Sequence, residues 1–269
     1  MYKPFRLNSY KTTIFTALLG AYLSTFASEK MIELNTREGV TQSYLLTVTP
    51  EESPRYIAIL FSGGMGNINL KKRGNTAEVK TQNFLIRSRE MFLTHGIATA
   101  AVDSPSDMIN MSDGFRMSDK HQQDIIEVVK DLRSRFPQTK IYLVGTSRGT
   151  VSAAYNGQAL ETQVDGVVLT SSVFKSSKSG LGLASVDFSK IKAPLLFIHH
   201  REDACAMCPY DSAHRLAERY PLISVSGGLQ PKSGPCDALS PHGYFGKETQ
   251  TIAAMSQWII HRALIAEVQ

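Results

Sequence analysis

The sequence predicts an α/β fold with a mostly parallel central sheet of about eight strands and helices on both faces. Short apolar runs alternate with longer amphipathic stretches from residue 30 onward. These runs are apolar at almost every position, as in strands that helices cover on both faces. With 42% hydrophobic and 20% charged residues among 269, the composition is that of a globular chain. We find no internal repeat and no linker, so residues 28–269 are predicted to form a single domain.

The elements of this pattern follow one another along the chain. "MIELNT" and "SYLLTVT" are predicted to form an opening pair of strands, followed by the strands "YIAILF", "IATAAVD", "KIYLVG", "DGVVLTSS", "APLLFIHH" and "PLISVSGG". Helices are predicted in "TQNFLIRSREMFLTHG", "DKHQQDIIEVVKDLRSRF", "TVSAAYNGQAL", "DSAHRLAERY" and "KETQTIAAMSQWIIHRALIA". Gly96 is the stop signal of the first helix, and Pro137 follows the second.

The first 27 residues have the pattern of a secretory signal peptide. Lys3, Arg6 and Lys11 precede a run without charges that ends at Glu29, and Ala27 is a small residue suited to cleavage. The apolar run is short for a membrane span. We therefore predict that residues 1–27 are removed on export to the periplasm or the medium, with no stable membrane association afterwards. An uncleaved membrane anchor is the alternative.

The charge balance argues against two classes of partner. The chain is formally +5, and without the three basic residues of the signal peptide the surplus is +2. So small a surplus does not indicate binding to nucleic acid or to an anionic membrane. The sequence also has no zinc-type ligand spacing, dinucleotide glycine pattern or phosphate-binding loop, so no metal or cofactor is predicted.

The stretch "VGTSRG" stands where the strand "KIYLVG" ends and a helix-like run begins. Gly145 and Gly149 flank Ser147 in the G-x-S-x-G pattern of a nucleophile elbow. In that turn the backbone of the serine is strained, and side chains two positions before and after it would collide, which glycine avoids. The pattern predicts Ser147 as a nucleophile. An ordinary strand-to-helix turn with Ser147 as N-cap is the alternative.

A serine nucleophile needs a base, and the base needs an acid that orients it. Of the seven histidines, His242 stands in "SPHGYFGKE", a Pro/Gly loop from which it can reach the carboxyl edge of the sheet. Asp203 follows the strand "APLLFIHH" at the same edge and is favoured as the acid. The chain order of serine, acid and histidine is the one expected for this architecture and differs from that of trypsin and subtilisin. The competing acids are Glu202, Asp211 and Asp103.

Acyl transfer also needs hydrogen-bond donors for the oxygen that becomes negative. The backbone N–H of Arg148 follows the proposed nucleophile directly at the start of a helix. The loop "SGGMG" follows the strand "YIAILF", and the N–H of Gly64 or Met65 is the predicted second donor, because glycines let the backbone approach a substrate closely. A plain glycine turn is the alternative.

Together these stretches resemble the serine hydrolases of the α/β-hydrolase fold, in particular small, lidless, exported esterases similar to dienelactone hydrolases. The matching stretches are "FSGGMG", "GTSRG", "HHREDAC" and "SPHGYFG", which span Tyr56 to Gly246. The resemblance implies that Ser147 is the nucleophile, His242 the base and Asp203 the acid. It implies the hydrolysis of a small carboxylic ester through an acyl-enzyme, without a cofactor.

Two positions depart from the family pattern. Ser62 stands where many members have histidine, and Arg148 follows the nucleophile where smaller or apolar residues are frequent. Both oxyanion donors are backbone groups, so neither departure removes the chemistry. The Arg148 guanidinium could hold an acidic group of the substrate, but a salt bridge to the protein surface is the favoured interpretation.

The sequence has no large insertion between two of its strands, and this limits the kind of substrate that we expect. Only "VFKSSKSGLGLASVDFSKIK" separates the strands "DGVVLTSS" and "APLLFIHH", which is too short for a large cap and favours an open cleft. An exported serine peptidase or amidase on the same fold is the first alternative to an esterase, because the fold alone does not choose among acyl bonds. A binding module without catalysis is the second.

All three cysteines lie in the last third of the chain, around the proposed acid and base. Export favours their oxidation, and a single disulfide leaves one thiol over. We favour a disulfide between Cys205 and Cys236, which would connect the loop after Asp203 to the loop before His242. A disulfide between Cys208 and Cys236 is the alternative.

Overall fold

The computed structural model describes residues 27–50, 53–74, 76–178 and 180–269. The predicted signal peptide lies outside these residues except for Ala27. The strands are β1 (Ser28–Arg37), β2 (Val40–Val48), β3 (Tyr56–Phe61), β4 (Lys71–Arg73), β5 (Thr76–Glu78), β6 (Ile97–Val102), β7 (Lys140–Thr146), β8 (Gly166–Thr170), β9 (Leu195–His200), β10 (Leu222–Val225) and β11 (Glu267–Val268). The α-helices are α1 (Phe84–Arg87), α2 (Asp113–Arg116), α3 (Asp119–Arg135), α4 (Gly149–Leu160), α5 (Tyr210–Leu216) and α6 (Glu248–His261). Short 3₁₀ helices span Arg89–His95, Glu161–Gln163, Phe188–Lys190 and Pro241–Gly243.

Nine strands form one sheet in the order β1-β2-β6-β3-β7-β8-β9-β10-β11, and β4 pairs with β5 separately. β2 is antiparallel to both of its neighbours, whereas every other adjacent pair of the large sheet is parallel. The prediction of a mostly parallel sheet is confirmed. The carboxyl ends of β3, β7, β8 and β9 therefore meet at one edge, where ligands bind in open α/β sheets.

Helices cover both faces of this sheet, as predicted. Along β3, Ile57, Ile59 and Phe61 belong to the core on the side of α3 and α4, and Ala58 and Leu60 belong to the core on the side of α1 and α6. All five side chains are at most 2% exposed. Burial on both faces explains why β3 has an apolar residue at every position.

Two helix predictions differ from the structure. The pattern over residues 81–96 becomes α1 and a separate 3₁₀ helix, and the break lets Arg87 pair with Glu248 on α6 while Arg89 pairs with Glu29 on β1. The last helix ends at His261 rather than continuing through "RALIA", because Arg262 adopts a left-handed conformation. The chain then forms β11, a ninth strand that the helical pattern does not predict.

The edge that carries the loops is open. Between β8 and β9 the described residues form only the 3₁₀ turn Phe188–Lys190 as helical structure, so no large cap lies over this edge. This agrees with the length of the insertion in the sequence. Among the described residues no helix combines the length and the hydropathy that crossing a membrane requires.

Candidate active site

The turn after β7 holds Ser147 in a left-handed backbone conformation with φ of 52°. A residue with a Cβ rarely adopts this conformation, and the surrounding hydrogen bonds must maintain it. The N–H of Ser147 donates to the carbonyl of Thr170 (3.0 Å), and the Ser147 carbonyl accepts from the N–H of Thr150 (2.9 Å). The N-cap of α4 is Arg148, so the alternative of Ser147 as an ordinary N-cap does not hold.

The glycines around Ser147 are required by close backbone contacts. A Cβ on Gly145 would lie 2.4 Å from the carbonyl oxygen of Gly149. A Cβ on Gly149 would lie 2.1 Å from the carbonyl oxygen of Phe61, at the end of β3. The predicted collision across the turn is therefore present for Gly145, whereas at Gly149 the obstacle is the neighbouring strand. A Cβ on Gly63 would come within 2.9 Å of the Ser147 Cβ, which places the loop after β3 against the serine.

His242 and Asp203 form a hydrogen-bonded pair at the same edge of the sheet. Nδ1 of His242 lies 2.9 Å from Oδ2 of Asp203, and both side chains are at most 5% exposed. The other carboxylate oxygen accepts the N–H of Cys205 at 2.9 Å. Nε2 of His242 has no hydrogen-bond partner among the described residues, and His242 lines the same cleft as Ser147. The fold thus brings together the three residues that the sequence singles out.

The turn that carries His242 is anchored by two residues that sequence reasoning missed. Ser171 donates its hydroxyl to the His242 carbonyl (2.8 Å), and its N–H donates to the Tyr244 hydroxyl (3.1 Å). Tyr244 in turn donates to the carbonyl of Ile198 (2.7 Å). Burial raises the pKa of Tyr244, so its hydroxyl stays protonated and able to donate. No local pattern marks these residues, because 73 positions separate Ser171 from Tyr244.

The three competing acids have other surroundings. Asp103 is buried and accepts two backbone N–H groups of the loop after β3, at 2.8 and 2.9 Å. Glu202 is more than half exposed and lies beside His200 and the N–H of Gly227. Asp211 is an exposed residue in the first turn of α5. Asp103 therefore holds the loop after β3 in place. Glu202 and Asp211 are not buried as the acid of a triad would be.

Two further histidines are buried near the site without a charge. His121 contacts the hydroxyl of Ser152, and burial lowers the pKa of His121 to about 3. Nε2 of His199 accepts the N–H of Ser172 (2.7 Å), and burial lowers the pKa of His199 to about 3 as well. Both imidazoles are neutral near pH 7 and pack as core residues.

The loop after β3 presents Gly64 and Met65 beside Ser147. The Gly64 carbonyl accepts from the guanidinium groups of Arg116 (3.3 Å) and Arg148 (3.2 Å). In a planar trans peptide the N–H points opposite to the C=O, so the Met65 N–H is directed away from both arginines. The N–H groups of Gly64 and Met65 donate to no acceptor among the described residues, and Gly64 lines the cleft with Ser147. Both groups remain candidates for the second oxyanion donor.

Arg116 is a fully buried cation beneath this loop, and sequence reasoning missed it as well. It donates to the hydroxyl of Ser152 (2.9 Å) and, more weakly, to the carbonyls of Ser62 (3.4 Å) and Gly64 (3.3 Å). Burial lowers the pKa of Arg116 to about 9, which leaves the guanidinium charged near pH 7. The nearby carboxylate of Asp113 is bonded to another arginine. The Arg116 charge therefore acts on the carbonyls of the loop.

That other arginine is Arg148, whose guanidinium lies 2.8 Å from the Asp113 carboxylate. The Asp113 side chain is 2% exposed and also accepts the N–H of Gly182 at 3.0 Å. The predicted salt bridge of Arg148 is present, but its partner Asp113 is buried rather than at the protein surface. The pair connects α2, the turn at Ser147 and the loop before β9.

The predicted disulfide between Cys205 and Cys236 is present. It closes a loop of 31 residues, and the loop-entropy relation gives a stabilisation of roughly 3–4 kcal/mol. Cys208 is the remaining thiol, and it is buried against the Ser147 hydroxyl. Burial raises the pKa of Cys208, so the thiol stays protonated and weakly reactive. The sulfurs of Cys205 and Cys208 lie within 4.8 Å of a His242 ring nitrogen, but the disulfide removes Cys205 as a metal ligand.

The cleft extends to both sides of Ser147. On the side of His242 it has a volume of about 250 Å³, and its lining includes Asn67, Thr81, Gln82, Asn83, Phe84 and Asp237. On the opposite side it has a volume of about 200 Å³, and its lining includes Arg148, Val173, Met207, Cys208 and the disulfide. The first side is rich in amide and hydroxyl groups, whereas the second is mainly apolar and sulfur-containing apart from Ser177 and the Arg148–Asp113 pair.

The contact between Gly149 and Phe61 predicts the effect of a single methyl group. Gly149→Ala should lower the free energy of unfolding by about 2–3 kcal/mol, because its Cβ would overlap backbone that cannot rotate away. Gly114→Ala is the matched control, since a Cβ there would meet no atom closer than 3.7 Å. Urea denaturation of both variants measures the difference. Equal stabilities would contradict the steric explanation of the glycine.

Comparison with known proteins supports the fold through structure. No protein-family model matches the chain, and no curated protein matches its sequence. Est1E from Butyrivibrio proteoclasticus superimposes with a TM-score of 0.60 at 14% identity, over 86% of this chain and 98% of Est1E. In another structure, Est1E has ferulic acid bound.

Two other solved structures give the same result. An alpha-beta serine hydrolase homologue from Coxiella burnetii has a TM-score of 0.58 at 12% identity, over 85% of this chain and 96% of its own. XC6422 from Xanthomonas campestris, described as a serine hydrolase without a lid, has a TM-score of 0.53 at 13% identity, over 88% and 96% of the two chains. Likeness at such low identity is evidence about the fold, and the sheet order and the open edge agree with it. The chain therefore has the α/β-hydrolase fold without a large cap.

Proposed function

We propose that the protein is a serine hydrolase that cleaves carboxylic esters. One observation carries the proposal: Ser147, on its strained turn, opens on the same cleft as the hydrogen-bonded pair of His242 and Asp203. A serine at such a turn becomes a useful nucleophile when a base can accept its proton and an acid orients that base. The likeness of the fold to known serine hydrolases supports the same assignment.

In the proposed reaction, Oγ of Ser147 attacks the carbonyl carbon of the ester while Nε2 of His242 takes the hydroxyl proton. Asp203 keeps the imidazole oriented and stabilises its cationic form. The negative oxygen is bound by the N–H of Arg148 and by that of Gly64 or Met65, at the positive end of α4. His242 then returns the proton to the departing alcohol. Water, activated by the same histidine, hydrolyses the acyl-enzyme.

The resting geometry adds one requirement. Ser147 and Cys208 line the same part of the cleft, and Nε2 of His242 is unbonded among the described residues. In unliganded enzymes the catalytic hydrogen bonds are often long and tighten only in the substrate complex. We therefore infer that the Ser147 hydroxyl and Nε2 of His242 approach each other when the substrate binds.

The first prediction from the proposed function concerns the three residues of the triad. Ser147→Ala and His242→Ala should abolish nearly all hydrolysis of p-nitrophenyl esters, since loss of the nucleophile costs about 10⁶-fold in subtilisin. Asp203→Asn should lose less activity, because Asp203 acts through the histidine. Glu202→Gln is the matched control, since Glu202 is an exposed neighbouring carboxylate, and it should retain the parent rate.

Labelling with a fluorophosphonate at Ser147 provides an independent readout, and circular dichroism checks the fold of each variant. Hydrolysis at the parent rate by Ser147→Ala would exclude the proposed nucleophile. An unaffected Asp203→Asn together with an inactive Glu202→Gln would move the acid by one residue. A panel that includes amides and peptides tests the peptidase alternative, and failure of every substrate and of labelling would favour a binding module.

The second prediction concerns Arg116 as a positioning residue. Arg116→Met should lower kcat at least tenfold with less than a threefold change in KM, because the loop that carries the oxyanion donors loses its buried support. Arg116→Lys should restore part of the lost rate, since it keeps the charge. Arg219→Met, at an exposed position in the chain after α5, is the control. A rise in KM with unchanged kcat would assign Arg116 to substrate binding instead.

The third prediction concerns export. We propose that the chain is exported to the periplasm or the medium and cleaved after Ala27. Two observations support this: β1 begins at Ser28, next to the proposed cleavage point, and the disulfide is typical of an oxidising compartment. Intact mass measurement of the full chain expressed in an exporting bacterial host should give a protein that begins at Ser28. A retained N-terminus in the exported fraction would contradict this cleavage site.

A further inference from the structure

The two sides of the cleft have different roles in ester cleavage, and geometry assigns them. His242 must return its proton to the departing oxygen, so the alcohol half of an ester lies on the side that His242 lines. The carbonyl oxygen points to the backbone donors at Gly64 and Arg148. The acyl half is left with the opposite side, lined by Val173 and Met207. The groups that line each side therefore indicate the chemical nature of the half of the ester that binds there.

Asn83 is the most informative residue of the alcohol side. It is the N-cap of α1, where an asparagine side chain usually accepts a backbone N–H, yet here it makes no capping hydrogen bond. Its Oδ1 atom is buried without a hydrogen-bond partner. Its Nδ2 atom points toward Gly63, 3.4 Å from where a Cβ on that glycine would lie. A buried amide oxygen without a partner costs free energy, and a ligand that donates to it removes this cost.

The side chains near Asn83 on this wall also carry amide or hydroxyl groups that can form hydrogen bonds. Gln82 is exposed on this wall, and the hydroxyl of Thr81 accepts the Asn83 N–H at 3.1 Å. Asn67, which also lines this side, uses its amide oxygen to accept the N–H of Asn69 (2.6 Å), and its NH₂ group is a further donor. Amide groups both donate and accept, as alcohol hydroxyls do. A wall with several amides therefore complements a ligand with several hydroxyl groups.

The charged side chains around this side of the cleft narrow the class of alcohol further. The side chains that line this part of the cleft include no lysine or arginine among the described residues, and Asp237 is an exposed carboxylate at its rim. An anionic alcohol, such as one that bears a phosphate or a carboxylate, finds no cation there to pair with. A purely alkyl alcohol would leave Oδ1 of Asn83 without a partner and would displace water from the exposed amide of Gln82 without replacing its hydrogen bonds.

Resting on the proposed ester hydrolysis, we propose that the alcohol half of the substrate is neutral and rich in hydroxyl groups, as in a sugar or polyol ester. Asn83 is the specificity-determining residue of this subsite. The side chain would accept from one hydroxyl through Oδ1 and donate to another oxygen through Nδ2. The cleft, at about 250 Å³ on this side, exceeds the roughly 150 Å³ cavity that holds one benzene, so it accommodates a single sugar ring.

The test compares two esters with the same acyl group and different alcohols. Methyl 6-O-butyrylglucoside and hexyl butyrate give the same butyryl-enzyme, so a difference in kcat/KM reports only the alcohol half. The parent protein should prefer the glucoside ester at least tenfold. Asn83→Ala should reduce that preference to threefold or less, and Gln82→Leu should reduce it in the same direction.

Gln138→Ala is the matched control, because it removes an exposed amide next to β7 at the opposite edge of the sheet, and it should keep the parent preference. Thermal unfolding of each variant separates a loss of fold from a loss of selectivity. Equal kcat/KM for the two esters in the parent protein, or an unchanged preference in Asn83→Ala, would overturn this inference. If both esters are hydrolysed equally and Ser147→Ala abolishes the activity, the proposed ester hydrolysis is supported and the proposed alcohol subsite fails. If no ester is hydrolysed in a Ser147-dependent manner, both proposals fail.

Discussion

The site depends on the direct backbone contact between the end of β3 and the start of α4. Gly149 lies so close to the Phe61 carbonyl that a Cβ would approach it to 2.1 Å. Strand and helix therefore meet with no side chain between them. This contact places Ser147, on the turn before α4, next to the loop after β3, and Gly63 then lies against the serine itself. The proposed nucleophile and the proposed oxyanion donors are adjacent because two backbones touch.

The loop after β3 is held by charge as well as by packing. Arg116 and Arg148 both donate to the Gly64 carbonyl, and Asp113 forms a direct ion pair with Arg148. Arg116 feels the Asp113 charge but has no carboxylate bonded to it among the described residues, and burying such a cation costs free energy that a neutral residue would avoid. The same charge binds the Gly64 carbonyl, in the loop that carries the proposed oxyanion donors. A cost in stability at such a place is typical of functional sites.

The proposed acid, Asp203, and the proposed base, His242, are held by contacts between distant segments. The disulfide joins the chain after Asp203 to the chain before His242, and the Cys205 N–H binds the Asp203 carboxylate directly. On the other side, Ser171 and Tyr244 fasten the histidine turn to the ends of β8 and β9. The geometry of the pair is therefore fixed by the rigid edge of the sheet and by a covalent bond, although both residues lie in loops.

The sequence by itself determined the fold class and most strands of the large sheet. It also favoured the cysteine pairing that is present and singled out Ser147, His242 and Asp203 as the proposed site. These features have local signals, because periodicity, flanking glycines and the strand-end positions follow from backbone geometry. Tertiary structure alone decided the break after Arg87, the strand β11, and the places of Arg116 and Asn83. The roles of these features depend on contacts with residues that are distant in the sequence, and the neighbouring residues in the chain do not indicate those contacts.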